Sequence, residues 1–261
     1  MERARRLALA LGMRPGAPGA RSWLDVLFVA WLGWLYDLMN NLAAVRQGLA
    51  EAHARSLLHA EKVLHVDVEL SLNKWLAARH TLSSIAVLWY DNVHGIVVIG
   101  TFLVLWWRRP DLLARLRGVL GLVSVGALAV FWSYPVAPPR MLVAHGYIDL
   151  VAKVHHLPVW RAGAVASDSN QLAAFPSLHL AWGIWASIAV FAMTRRRWLR
   201  ALAVAYLLIT VLAVMATANH FLLDALAGAL LTAAIALAVT HVAERWGRPT
   251  AAQAAAAARP G

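Results

Sequence analysis

The chain has 261 residues, of which 61% are hydrophobic, and it carries a formal net charge of +11. Soluble domains are about 45–50% apolar, so this composition indicates a membrane protein. The chain has no cysteine, which excludes disulfides, thiolate metal sites and cysteine nucleophiles. Its basic residues lie in short loops between apolar runs, which is typical of membrane topology and argues against nucleic-acid binding.

Both ends of the chain are predicted to lie outside the folded domain. Residues 1–22 hold arginines and a short apolar run without a convincing signal cleavage site, so we expect a cytoplasmic tail. Residues 243–261 end in an alanine-rich stretch, for which we expect a disordered cytoplasmic tail. Residues 23–242 then form one membrane domain.

Six apolar stretches are long enough to cross a bilayer, which requires about 20 mostly apolar residues. They are 23–45, 82–107, 117–135, 174–194, 199–220 and 221–242. We therefore expect an all-α integral membrane protein with six transmembrane helices. Residues 46–80, between the first two, have a helical alternation that predicts one or two helices lying in the membrane interface. Residues 136–173 contain no spanning run and are typical of a functional loop.

The distribution of positive charge predicts the orientation of these helices. With six spans, sixteen Lys and Arg residues fall on the side that holds both termini, and eight fall on the other side. Because cytoplasmic loops are enriched in Lys and Arg, both termini should be cytoplasmic. The polar motifs described next then lie on the extracytoplasmic face of a cell membrane.

His220 and Asp224 stand at the mouth of the last span, four residues apart, where they share one helix face. A carboxylate that binds one imidazole nitrogen fixes the tautomer and leaves the other nitrogen free to attack. This spacing predicts a nucleophilic histidine with an orienting aspartate. The alternative is an aspartate at a helix start beside an interfacial histidine that only caps the segment.

A second motif, Phe175-Pro176-Ser177-Leu178-His179, opens the fourth span. Proline is suited to the first helical turn, so the amides that follow it, with the Ser177 hydroxyl, would form an anion site. His179 would donate a proton to a departing alkoxide or phosphate. The alternative is an ordinary interfacial histidine after a helix that begins at proline.

A third motif, Tyr134-Pro135-Val136-Ala137-Pro138-Pro139-Arg140, follows the third span. Its three prolines stiffen the chain and so fix the position of the arginine. A permanently charged, fork-shaped guanidinium is the expected partner of phosphate oxygens. The alternative is a loop arginine whose side chain extends to the membrane surface.

Polar residues also occur in the outer half of the second span, at Tyr90, Asp91 and His94. They either line a pocket for the substrate headgroup or form a hydrogen-bond cluster between helices. The outer-loop histidines lack the ligand set and spacing of a zinc site, so we expect no metal and no other cofactor.

Together these motifs resemble the type 2 phosphatidic acid phosphatase superfamily, which shares its site with vanadium haloperoxidases. The resemblance rests on Pro-Ser-Leu-His followed by His-x-x-x-Asp and covers roughly Leu82–Gly228. Tyr-Pro-x-x-Pro-Pro-Arg and Phe-Pro-Ser-Leu-His are similar to the branch that contains inositol phosphorylceramide synthases. The resemblance implies a six-helix membrane fold and metal-independent catalysis through a phosphohistidine.

The same resemblance implies a role for each matching residue. His220 would be the nucleophile, Asp224 its orienting partner and His179 the general acid. The phosphate would be held by Arg140, Ser177 and the Leu178 amide.

The chain departs from the superfamily pattern at two positions that are cationic there, and from the branch pattern at one position. Ser133 and Val214 stand where the superfamily has a lysine and an arginine, and Asn219 stands where the branch favours a histidine. We expect other residues to supply the missing phosphate contacts. The candidates are Arg161, Lys153 and Asn170.

The sequence thus predicts a membrane enzyme that cleaves or transfers a phosphoryl group of a lipid phosphate drawn from the surrounding lipids. The phosphohistidine would pass to water in a phosphatase or to an alcohol in a transferase, and both remain open. With a phosphodiester lipid, the transferred unit would be a headgroup phosphate, as in inositol phosphorylceramide synthases. The alternatives are a non-catalytic lipid transporter of the same fold and a structural membrane protein. Transporters often contain internal repeats, and this sequence shows none.

Overall fold

The computed structural model describes residues 46–155 and 174–247, together with positions 27, 28, 30, 31, 33 and 34. Over these residues the protein is helical and contains no strand, which confirms the predicted all-α class. The two predicted tails and most of the first predicted span lie outside the described residues. Arg161 and Asn170, two of the candidate phosphate ligands, also lie outside them.

Eight helices follow one another through segments 46–155 and 174–247. They are α1 (Gln47–Leu64), α2 (Glu69–Ala77), α3 (His80–Arg108), α4 (Pro110–Ser133), α5 (Leu150–Val154), α6 (Leu178–Met193), α7 (Arg197–Ala216) and α8 (Leu222–Gly247). Helix α3 contains one π-helical turn at Trp89–Val93. Two short 3-10 turns lie between α4 and α5, at Pro139–Met141 and Val143–His145.

Four of these helices are long and apolar enough to cross a membrane: His80–Arg108, Pro110–Ser133, Arg197–Ala216 and the Leu222–Glu244 part of α8. They correspond to the predicted second, third, fifth and sixth spans. Six spans are therefore not confirmed, because the first prediction falls largely outside the described residues and the fourth is shorter than expected. Helix α6 has only 16 residues. At 1.5 Å per residue it is about 24 Å long, less than the ~30 Å hydrocarbon core of a bilayer.

Large apolar side chains cover the outer surface of the spanning helices. Leu237 is 72% exposed, Leu230 71% and Ile96 68%. Contiguous apolar surface of this kind is rare on soluble monomers and is expected where a helix faces lipid. The outer surface therefore supports the assignment of a membrane protein.

Helix α6 lies inside the bundle and packs against α3, α4, α7 and α8. Its Trp185 is fully buried, and the indole Nε1 donates to the Leu116 carbonyl oxygen of α4 at 2.7 Å. Trp182 Nε1 donates to Ser124 Oγ, also on α4, at 3.0 Å. Because both indole N–H groups donate to α4, the first half of α6 is held against that helix.

Helices α1 and α2 confirm the prediction of one or two helices in residues 46–80, while their location in a membrane interface stays a prediction. Buried residues of α1 form an apolar cluster with Val136, Tyr147 and Phe221 from the loops at one end of the bundle. The helices therefore cover the end where α4 and α7 finish and where α6 and α8 begin. All the predicted site residues that the structure describes lie at this end.

Candidate active site

A cavity of about 340 Å³ lies at this end of the bundle. It brings together predicted site residues from four separate parts of the chain. Those that line it are Tyr90, Asp91, His94, Arg140, Leu178, His179 and His220. Sequence segments that lie up to 130 residues apart therefore converge on one cavity.

His220 lies in the short connection between α7 and α8, with its side chain almost fully buried. Its Nδ1 lies 2.9 Å from the Ala174 carbonyl oxygen, and since a carbonyl only accepts, Nδ1 carries the proton. Burial lowers the pKa of His220 to about 4, and the Arg140 charge acts in the same direction. The ring is therefore neutral near pH 7, with the lone pair on Nε2, which is the form that can act as a nucleophile.

Asp224 is fully buried in the first turn of α8. Its Oδ2 accepts the Phe221 backbone N–H at 2.8 Å and lies 3.6 Å from His220 Nδ1. Its backbone carbonyl oxygen accepts the Ser177 N–H at 3.0 Å. Asp224 thus holds the turn next to His220, while the imidazole Nδ1 binds the Ala174 carbonyl oxygen rather than the carboxylate that the spacing predicted.

His179 lies in the first turn of α6, and its ring centroid is 5.6 Å from that of His220. The ring stacks on Tyr90 with 4.4 Å between centroids and lies 4.7 Å from the ring of His94. Two imidazoles at this separation are both within hydrogen-bond reach of one bound oxyanion. The aromatic neighbours restrict the rotation of the His179 ring.

Ser177 and Leu178 were both expected to bind phosphate, but they differ in their position relative to the cavity. Ser177 is the N-cap of α6, fully buried, and its Oγ accepts the Leu180 N–H at 3.4 Å. The Ser177 N–H is donated to Asp224, and the residue does not line the cavity. Leu178, the first residue of the helix, does line it. Pro176 precedes the N-cap, so the prediction that it lies in the first helical turn is wrong.

Arg140 is 7% exposed, and its guanidinium is held by two side chains. Its Nε donates to Asn219 Oδ1 at 2.8 Å, and its Nη1 donates to Asp149 Oδ2 at 3.1 Å. The Arg140 backbone N–H donates to the Ala218 carbonyl oxygen at 2.8 Å. These bonds attach the arginine directly to the segment that carries His220.

Tyr90 and His94 lie in and just after the π-helical turn of α3. His94 Nδ1 and Tyr206 Oη share a hydrogen bond of 2.8 Å, which joins α3 to α7. Both Tyr90 and His94 also line the cavity, while their contact with a substrate headgroup stays a prediction. A π-helical turn inside an α-helix is common at functional sites.

Some residues of the site were not identified from the sequence. Asn219 and Asp149 hold Arg140, and the Ala174 backbone holds His220. Gly228 allows α8 to approach α6, since a Cβ at this position would lie 2.4 Å from the Ser177 carbonyl oxygen. A glycine within an apolar helix was a detectable indication of close packing, whereas a backbone carbonyl acceptor leaves no pattern in a sequence.

A family model described as PAP2 superfamily matches residues 55–238, which is more than half of the chain. The chain belongs to the PAP2 superfamily. No curated protein and no solved structure matches it. PAP2 proteins are generally phosphatases or phosphotransferases, which indicates a reaction of this type. The branch within the superfamily is not resolved by this match.

The two positions where PAP2 proteins were expected to carry cations lie outside the cavity lining in this chain. Ser133 is exposed at the end of α4, where its hydroxyl donates to the Ala129 carbonyl oxygen. Val214 is fully buried, and its carbonyl oxygen accepts the His220 backbone N–H. Among the described residues that line the cavity, Arg140 is the one permanent cation. The described segments also contain no cluster of three or more metal-ligating side chains.

Proposed function

We propose that this PAP2 protein is an integral-membrane lipid phosphatase or phosphotransferase that acts on a lipid phosphate through a phosphohistidine intermediate. The observation that supports it most directly is the pair of histidines, His179 and His220, with ring centroids 5.6 Å apart in one cavity. Arg140 lines the same cavity. The cavity lies at the end of apolar helices, where a lipid headgroup would be located.

In the first step, the substrate phosphate binds beside Arg140 and the beginning of α6. His220 Nε2 attacks phosphorus, so a P–N bond forms while the P–O bond to the leaving group breaks. The leaving oxygen takes a proton from His179. The negative charge of the bound phosphate favours the protonated form of His179 at this stage.

In the second step, His179 accepts a proton from water or from an acceptor alcohol. The oxygen of that acceptor attacks phosphorus, and the P–N bond breaks. The Ala174 carbonyl oxygen keeps the proton of His220 on Nδ1 throughout, so the ring returns to its starting tautomer.

Headgroup transfer from a phosphodiester lipid is a second candidate, and the charge of the cavity favours it. The cavity holds one described permanent cation, Arg140, which is already paired with Asp149 at 3.1 Å. The Asp91 side chain also lines the cavity. A phosphodiester carries one negative charge, whereas a phosphomonoester carries nearly two at pH 7. The single permanent cation among the described lining residues therefore suits the diester better.

We further propose that the cavity faces the extracytoplasmic side of a cell membrane. The arginines between α3 and α4 and between α6 and α7, including Arg108, Arg109 and Arg195–Arg197, lie at the opposite end of the bundle. Because cytoplasmic loops are enriched in arginine, this end would be cytoplasmic.

Purified protein in detergent with EDTA would be supplied in parallel with short-chain lipid phosphates, lipid diphosphates and phosphodiester lipids. We expect turnover that is blocked by vanadate and falls about a thousandfold or more in His220→Ala. His241→Ala is the matched control, since His241 is exposed on the same helix α8. Equal turnover in wild type and His220→Ala would exclude the proposed enzyme.

Mass spectrometry of the products then separates hydrolysis from transfer. Hydrolysis in ¹⁸O-labelled water gives labelled phosphate or a labelled phosphorylated headgroup. Transfer in the presence of a lipid or polyol alcohol gives an unlabelled phosphodiester that contains the acceptor. A protein that binds lipid phosphates without turning any of them over would instead support a non-catalytic lipid transporter.

A further inference from the structure

Two carboxyl groups, Glu61 of α1 and Glu69 of α2, are fully buried directly behind the active site. Neither residue lines the cavity, and neither takes part in the proposed bond-forming or proton-transfer steps. Burying a carboxylate in an apolar region is costly unless it is hydrogen-bonded or neutralised. Two such groups side by side therefore require a physical explanation.

Both carboxyl groups bind the first turn of α8. Glu69 Oε1 accepts the Leu222 N–H at 2.6 Å, and Glu61 Oε1 accepts the Leu223 N–H at 2.8 Å. The first N–H groups of a helix have no partner within the helix, and a negative charge there is favoured by the helix dipole. With the bond from Phe221 N–H to Asp224, three successive amides of this turn are bound by carboxyl oxygens.

The remaining oxygens, Glu61 Oε2 and Glu69 Oε2, are buried and receive no donor from other parts of the described chain. The two carboxyl groups contact each other, and they form a hydrogen bond only if one of them keeps its proton. Burial raises the pKa of Glu61 to about 8, and the charges of Glu69 and Asp224 raise it further. Burial also raises the pKa of Glu69. Glu61 therefore keeps its proton near pH 7, and this proton can be shared with Glu69.

Few of the titratable groups that the structure describes face this pair. Asp224 approaches it from α8, and Tyr147 approaches from the loop before α5. The Tyr147 hydroxyl is buried without a partner among the described residues, and burial raises its pKa. Asp67, between α1 and α2, acts on Tyr147 as well. None of these groups is cationic, so a second negative charge on the pair would have no compensating cation among the residues that the structure describes.

We propose that Glu61 and Glu69 are positioning residues, a proton-sharing carboxyl pair that fixes the first turn of α8 and with it the placement of His220 and Asp224 against the substrate phosphate. His220 is only two residues before Leu222, so a shift of this turn moves the nucleophile directly. Small displacements of a reacting group are known to be costly in rate. The catalytic part of this inference rests on the proposed function.

The test compares Glu61→Ala and Glu61→Gln with wild type, and Glu51→Gln is the matched control on α1, since Glu51 is partly exposed. In Glu61→Ala we expect kcat at pH 7 to fall roughly 10- to 100-fold with KM nearly unchanged. In Glu61→Gln the amide oxygen still accepts from Leu223, and the amide N–H₂ donates to Glu69 without a titrating proton. Its kcat at pH 7 should stay close to that of wild type.

The dependence of kcat on pH distinguishes a positioning role of Glu61 from a purely structural role at the start of α8. Wild type should lose kcat as the pH rises above about 8, because loss of the shared proton leaves two adjacent carboxylates that repel. In Glu61→Gln the pH at which kcat falls should be higher by about one unit or more. If kcat falls at the same alkaline pH in wild type and in Glu61→Gln, the proposal is overturned. This comparison does not depend on whether Glu61→Ala folds.

Hydrogen exchange of the Leu222 and Leu223 amides provides a readout without turnover. We expect faster exchange in Glu61→Ala and wild-type protection in Glu51→Gln. Unchanged protection together with unchanged kcat in Glu61→Ala would contradict the proposal. If wild type turns over no lipid phosphate, the proposed function fails, while the exchange result still decides whether the pair holds this turn.

Discussion

Arg140 Nε donates to Asn219 Oδ1 over 2.8 Å, which joins the arginine of the cavity to the residue immediately before His220. Asn219 Nδ2 in turn donates to Thr217 Oγ1 at 2.8 Å, at the end of α7. Because Arg140 is bonded to the residue next to His220, the guanidinium and the proposed nucleophile keep their relative position. This relationship leads to the first of five predictions.

Replacing Asn219 with alanine should impair the binding of phosphate by Arg140. The guanidinium loses one of its two described side-chain partners, at a cost of about 1–2 kcal/mol, or roughly tenfold in kcat/KM. The measurement is steady-state turnover together with the inhibition constant of vanadate, which should weaken in parallel. Asn92→Ala is the control, because Asn92 is exposed on α3. Unchanged vanadate inhibition in Asn219→Ala would contradict this role of Asn219.

His220, the proposed nucleophile, should stay active at unusually acidic pH. Burial lowers the pKa of His220 to about 4, so the imidazole is protonated and inactive only as the pH falls through this value rather than through 6.5. A phosphodiester substrate is suitable for the measurement, since its charge does not change in this range. The profile of kcat/KM should still be flat at pH 5.5, with the fold checked by circular dichroism. Half-loss of activity near pH 6.5 would refute the prediction.

Gly228→Ala should separate α8 from the start of α6. The new Cβ would lie 2.4 Å from the Ser177 carbonyl oxygen, a backbone atom that cannot rotate away. Overpacking of this kind costs typically about 1–3 kcal/mol and here also moves His179 relative to His220. We expect a lower kcat and a lower thermal midpoint.

Gly118→Ala on α4 is the matched control for this change, since its Cβ would meet no atom within 4 Å. Alanine also has the higher helix propensity, so this variant should be neutral or slightly more stable. If the two variants have equal kcat and equal thermal midpoints, close contact between Gly228 and Ser177 is not required for activity or stability.

Asn73→Ala should destabilise the fold with little effect on chemistry. Asn73 is fully buried, donates to the Ile148 and Ala216 carbonyl oxygens and accepts the Ile148 N–H at 2.8 Å. Removing it leaves three backbone groups without this partner, at a cost of about 1–3 kcal/mol. Thermal unfolding in detergent should show a lower midpoint, while kcat per folded molecule stays near that of wild type. A midpoint equal to that of wild type would contradict the prediction.

The carboxyl pair behind the site should make stability depend on pH in a defined direction. The folded pKa of Glu61 is about 8, above its ordinary value of 4.5, so unfolding releases a proton between these pH values. This contribution to stability is complete below about pH 4.5 and is lost as the pH rises through 8. Relative to Glu61→Gln, wild type should therefore lose stability from pH 5 to 9, measured as the denaturation midpoint of both proteins. If the denaturation midpoints of the two proteins change with pH in parallel, Glu61 does not retain a proton in the folded protein.

The amino-acid sequence alone predicted the all-α class and four of the spans. It did so because a bilayer imposes long apolar runs that are visible without any knowledge of packing. It also indicated His179, His220 and Arg140 as candidates, since charged and titratable groups at the ends of such runs are rare and usually functional. The burial of α6 was not predictable, because a central helix and a lipid-facing helix are both apolar.

The contacts within the site were decided by tertiary structure. The partner of His220 Nδ1 is the carbonyl oxygen of Ala174, 46 residues away, and Asp224 instead binds the Phe221 amide. Glu61 and Glu69 meet the start of α8 across 162 and 153 residues of sequence. Periodicity and local motifs record which face of a helix is apolar, but they carry no information on which distant backbone groups a side chain meets. Those pairings are fixed only when the helices pack and every buried donor and acceptor must find a partner.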